Sequence, residues 1–92
     1  MAQAPNSEVA DVEMLQSLAA VSAMFGRTER AISLLHLALW IAPRNAETIR
    51  LMAVFYYNDG RHEQTATLIR LFEMTGTPLP EDLALIKLRH TN

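Results

Sequence analysis

Between Val12 and Phe25 the apolar residues Met14, Leu15, Leu18, Val21 and Phe25 recur at steps of three and four, the spacing that lines one face of an α-helix. These side chains are the expected core stripe of a first helix, and Ala19, Ala20, Ser22 and Ala23 would let a second helix approach closely. Gly26 permits the backbone turn that ends it. A second helix is predicted from Thr28 or Glu29 to Ile41, with Thr28 as N-cap and Pro43 beyond its end. Asn45 can cap a third helix, with Glu47 in its first turn and Ile49, Met52, Ala53 and Tyr56 as its stripe. The triplet Asn58-Asp59-Gly60 reads as a turn. A fourth helix runs from His62 to Met74 with Leu68, Ile69, Leu71 and Phe72, and Gly76 breaks it. A last helix is predicted from Pro80 to Arg89, with Pro80 at its first position and Glu81 and Asp82 favouring its N-terminus. No segment alternates with period two, so the expected fold class is all-α.

Two stretches echo each other: GRTERAISLLHLALWIAP from Gly26 and GRHEQTATLIRLFEMTGTP from Gly60, 60 − 26 = 34 residues apart. A helix–turn–helix unit with that period resembles the tetratricopeptide repeat. With the repeat's closing proline at Pro43, Val12 becomes its first residue. Leu15 then stands where the motif prefers Trp, Leu18 on its Leu, Ala19 on its small residue, Ala31 and Ala38 on its alanines, and Leu35 on its aromatic. A second copy from Ala46 matches with Ile49, Met52, Ala53, Tyr56, Thr65 and Ile69, but Phe72 is bulky where the motif is small and Thr77 replaces the proline. A third start at Pro80 offers Leu83 and Ile86, then departs at Lys87 and reads as a cap. The expected organisation is a flexible tail over 1–11, repeats over 12–45 and 46–79, and a capping helix and tail over 80–92.

In such repeats the first helices line a groove that holds peptides. The resemblance implies that this groove is faced by Glu13, Gln16, Ala20, Ala23 and Met24, then Glu47, Arg50, Val54, Tyr57 and Asn58, with Val54 and Tyr57 as apolar anchors and Arg50 orienting the ligand. The alternative is that the last helix partly covers Val54 and Tyr57. On the outer face of each second helix the motif is polar, yet this chain has Leu37 and Trp40, then Leu71 and Met74. They read either as a second contact surface or as side chains buried by a rotated helix. In size and layout the chain is similar to the small tetratricopeptide chaperones of bacterial type III secretion systems. That likeness implies a cytoplasmic chaperone or adaptor that sequesters a short helical secretion subunit, with a co-chaperone as a further partner. A self-associating, homodimeric scaffold without a client is the alternative.

Composition narrows the remaining chemistry. Eight Lys+Arg against ten Asp+Glu give a net charge of −2, which offers no general attraction to nucleic acid or anionic lipid. The 92 residues contain no cysteine, so no disulfide or thiolate metal site is available and a reducing cytosol suits the chain. The longest apolar run is interrupted by His36 and stopped by Pro43, short of a membrane span. His36, His62 and His90, spaced 62 − 36 = 26 and 90 − 62 = 28, match no zinc pattern. No Ser lies near a His at an interpretable spacing and the carboxylates are scattered. No catalytic residue, metal or cofactor is expected, and the chain reads as a binding protein rather than an enzyme. The charge pairs Glu47 with Arg50 and Arg70 with Glu73 read as ordinary surface charges.

Overall fold

The computed structural model describes the backbone of residues 4–90 and the side chains of residues 8–89. Among these residues the fold is all-α, with helices α1 (Ala4–Met24), α2 (Thr28–Ile41), α3 (Ala46–Asn58), α4 (His62–Met74) and α5 (Glu81–His90), and no strand. The chain forms two compact units, one running to Pro43 and the other starting at Arg44.

The first unit is the α1–α2 hairpin. Its turn follows from Gly26, whose φ of 76° lies in the left-handed region that disfavours a Cβ. The Gly26 N–H donates to the Ala23 carbonyl at 3.0 Å and the Arg27 N–H to that of Ser22 at 2.9 Å, so the last carbonyls of α1 are satisfied by a Schellman turn. The second unit repeats this chemistry one period later: Gly60, at φ 77°, donates to Tyr57 at 3.0 Å, and Arg61 donates to Tyr56 at 2.9 Å. The echoed Gly-Arg pair is thus the end of one helix and the entry to the next. In the second unit the Arg61 guanidinium also lies over the Tyr56 ring, 5.5 Å from its centroid, and pairs with Asp59 at 2.8 Å.

Small side chains let the hairpins close. Ala19, Ala31 and Ala38 in the first unit and Ala53 in the second have no exposed surface, and Leu35, Ile49, Met52, Leu68, Ile69 and Phe72 are buried with them. Buried Thr48 and Thr65 satisfy their hydroxyls locally, on Asn45 Oδ1 at 3.1 Å and on the Arg61 carbonyl at 2.8 Å. Asn45 caps α3 by accepting from the Thr48 N–H at 2.9 Å. Helix α5 packs against both α3 and α4 and buries Leu83 and Ile86.

Four expectations change. Helix α1 begins at Ala4 rather than Val12, so most of the segment read as a tail is helical; its one proline, Pro5, lies in the first turn, where no intrahelical N–H bond is lost. Residues 1–3 lie outside the described residues. The expected core stripe of α1 is turned outward: Met14, Leu18, Val21 and Phe25 are exposed, and Val12, Ala19 and Ser22 are buried instead. Within its unit α1 packs against α2 alone, so only one of its faces can be covered, and close approach selects the small-residue face. The cap of α2 is Arg27, without a side-chain bond, and Thr28 is already helical. Pro80 likewise precedes α5, its carbonyl accepting from the Ala84 N–H at 2.9 Å.

Candidate protein-docking cleft

The second unit contains a cleft of about 240 Å³ between α3 and α5, lined by Val54, Tyr57 and Asn58 from one side and Asp82, Leu85, Ile86 and Arg89 from the other. Its walls follow from two helical periodicities. Val54, Tyr57 and Asn58 are three and four residues apart on α3, and Asp82, Leu85, Ile86 and Arg89 repeat the same spacing on α5. Val54 and Tyr57 are half-buried, whereas Leu85 and Asn58 are exposed. The last helix therefore forms the far wall of the cleft and partly covers Val54 and Tyr57, as the alternative reading of the sequence expects.

Polar groups set the spacing of the two walls. Arg50 holds Glu47 through two bonds, Nε to Oε1 at 2.9 Å and Nη2 to Oε2 at 2.7 Å, and reaches across to Asp82 Oδ2 with Nη1 at 2.5 Å. Hydrogen bonding to Glu47 is the main cause that raises the Arg50 pKa above its usual value; partial burial opposes it, and the charge of Glu47 and the contact with Asp82 add to it. At the other end Arg89 donates to the Tyr57 hydroxyl at 3.1 Å, a bond that raises the pKa of Arg89. On the opposite side of α5, Lys87 pairs with Glu73.

These contacts revise the reading of the charged residues. Arg50 is committed to Glu47 and Asp82 and fastens α5 to α3, so it is a brace of the cleft rather than a spare cation for a ligand. Glu73 pairs with Lys87, while Arg70 reaches Thr67 at 3.4 Å. The five expected groove residues on α1 lie in the first unit: Glu13 and Met24 are exposed, and Gln16, Ala20 and Ala23 are half-buried. Of those expected on α3, the structure brings Val54, Tyr57 and Asn58 into one cleft and ties Glu47 to its brace.

Sequence reasoning set the last helix beside Val54 and Tyr57 only as an alternative and named none of the α5 residues that form the wall. Its signal was present in the spacing of Asp82, Leu85, Ile86 and Arg89, which the reading of this helix as a plain cap left unused. On the outer faces, Leu37 and Trp40 of α2 and Leu71 and Met74 of α4 are all exposed, Trp40 to 83%. Trp40 borders a shallow apolar depression with His36, Leu39 and Pro43.

Among the described residues no group of three or more His, Cys, Asp and Glu is placed to hold a metal, and no helix is long and apolar enough to cross a membrane. Compared with protein-family models, with curated proteins and with solved structures, the chain matches none.

Proposed function

We propose that this protein is a tetratricopeptide-type binding protein, a chaperone or adaptor that holds a short helical polypeptide, of the kind a secretion system assembles, with the help of the α3–α5 cleft. The observation that carries this reading is the braced, partly apolar cleft, in which Val54, Tyr57 and Leu85 stand between the polar groups of Asn58, Asp82 and Arg89. An amphipathic helix docks by inserting a few apolar anchors into such a groove while its flanks meet a polar rim. The mechanism is sequestration: a subunit that polymerises through an apolar helical face stays monomeric while that face is covered. The brace formed by Arg50 and Asp82 fixes the position of the two walls before the ligand arrives, which lowers the cost of ordering them.

The test begins with the polypeptide that copurifies from the native cell, remade and titrated against the purified chain. The double variant Val54→Ser, Tyr57→Ala is expected to weaken binding at least about thirtyfold, because a buried aromatic anchor commonly contributes about 2 kcal/mol or more. Unchanged affinity with an intact fold would remove the cleft from the binding site. A second reading, a self-associating scaffold, is favoured by the exposed Leu37, Trp40, Leu71 and Met74. It predicts that Trp40→Glu with Leu71→Glu separates the copies and leaves titration of the polypeptide without effect.

A further inference from the structure

Helix α1 carries an apolar seam that the cleft does not use. Met14, Leu18, Val21 and Phe25 follow one another at steps of four, three and four, the spacing of a two-helix seam. They are exposed to 59%, 47%, 49% and 75%, and at 100° per residue the seam points about 120° away from the buried Val12, Ala19 and Ser22. The Phe25 N–H still donates to the Val21 carbonyl at 3.2 Å, so Phe25 continues the helical register. Leu18, Val21 and Phe25 share a cleft with Arg27 and Arg30 at the C-terminal end of the seam. Asp11 stands at its other end, three residues before Met14. Among the described residues none of Asp11, Arg27 and Arg30 makes a side-chain ion pair.

We infer that a second copy of this chain covers the seam, with the two α1 helices antiparallel about a two-fold axis. The apolar spacing matches itself in either direction, and the charges at the two ends of the seam select the antiparallel one. Placing the axis between Leu18 and Val21 pairs residues whose numbers sum to 39, so Leu18 meets Val21 and Met14 meets Phe25 (18 + 21 = 14 + 25 = 39). Asp11, three residues before Met14, then lies about one turn beyond Phe25 of the other copy, at the end of the seam where Arg27 and Arg30 stand, and both ends join opposite charges. A parallel pair would set Asp11 against Asp11 and Arg27 against Arg27, which is repulsive. The flanking Ala10, Leu15, Ser17 and Met24 carry no charge, so nothing between the ends opposes pairing.

The area is sufficient for a modest dimer. The four seam side chains expose on the order of 450 Å² per copy, and with Asp11, Ser17, Arg27 and Arg30 a pair reaches roughly 1,000–1,200 Å², the lower edge of a specific interface. The seam lies in the first unit and the α3–α5 cleft in the second, so this pairing does not rest on what the cleft binds.

The experiment is the concentration dependence of mass by sedimentation equilibrium for the full chain. The wild type is expected to move from monomer to dimer, and Leu18→Glu to raise the dissociation constant at least about tenfold with its helical circular dichroism unchanged. Orientation is read separately, since the chain has no cysteine of its own. On oxidation a mixture of Met14→Cys and Phe25→Cys chains should cross-link as mixed dimers, and neither variant should do so alone. Asp11→Arg should weaken the dimer and Asp11→Arg with Arg27→Asp should restore it. The inference is overturned by a chain that stays monomeric at every concentration, by cross-linking of Met14→Cys with itself, or by a dimer that Leu18→Glu leaves intact and Trp40→Glu dissolves. The cleft variant Val54→Ser, Tyr57→Ala should dimerise as the wild type does, so failure of one proposal leaves the other standing.

Discussion

Ala31 has no exposed surface, and its methyl group is all that the packing around α2 accommodates. Ala31→Leu must push neighbours off their rotamers, at a cost of about 1–3 kcal/mol. For a chain of this size each kcal/mol lowers the melting temperature by roughly 4–8 °C, so thermal unfolding followed by circular dichroism checks it. Arg50 shows the opposite case, a residue whose worth lies in position rather than burial. Its pair with Glu47 lies within one turn of α3 and has the modest energy of a surface ion pair, about 1 kcal/mol or less, but its reach to Asp82 fixes where α5 sits. The two arginines of the repeated Gly-Arg pair also differ by environment. Arg61 has the Tyr56 ring and Asp59 to hold it, whereas the corresponding neighbours of Arg27 are Ser22 and Phe25, which leave its charge at the end of the α1 seam.

The helices end where they do because of their turns. Gly26 and Gly60 both have open space where a Cβ would stand, so Gly26→Ala or Gly60→Ala meets no clash, and the cost is that of a left-handed backbone, about 1–2 kcal/mol each. The checks are chemical denaturation midpoints for both single variants, which should fall by similar amounts because the two turns are alike. This regularity is why α2, α3 and α4 were legible in the sequence to within about a residue: glycine, asparagine and proline punctuate their ends. Helix α1 was legible as a helix but not in its facing. It offers two stripes, one of large apolar residues and one of small ones, and periodicity alone favours the large stripe, whereas close packing of α2 chose Ala19 and Ser22. The start of α1 was missed because the polar and alanine-rich residues before Val12 carry no apolar period, though nothing among them forbids a helix. The cleft was half legible: Val54 and Tyr57 came from the repeat register, and the spacing of Asp82, Leu85, Ile86 and Arg89 marks one face of α5, but that this face meets α3 depends on Arg50 joining Asp82, a contact that local spacing cannot show.

Across the whole molecule, apolar surface is spread over several faces rather than withdrawn from water, in keeping with a chain of 92 residues that is 50% hydrophobic. Small domains bury a limited share of their surface, and exposed Trp40, Met74, Phe25 and Leu88 are what remains. Because Trp40 and Leu71 are exposed, Trp40→Glu with Leu71→Glu should leave the unfolding free energy of the isolated chain within about 1 kcal/mol, the sum of two ordinary surface changes. A collapse of helical circular dichroism in the double variant would place them in the core. The brace between α3 and α5 has a consequence for the order in which the second unit forms. Helices α3 and α4 meet across a tight turn and can form the folding nucleus as soon as both exist, whereas Arg50 reaches Asp82 only after 82 − 50 = 32 residues of chain have been drawn together, a contact that is added to that nucleus later. Docking of α5 should then follow the rate-limiting barrier. In stopped-flow refolding, Arg50→Ala is expected to leave the folding rate nearly unchanged and to speed unfolding by its whole loss of stability. The α3–α5 cleft is in that case the first part of the unit to come apart and the last to be made.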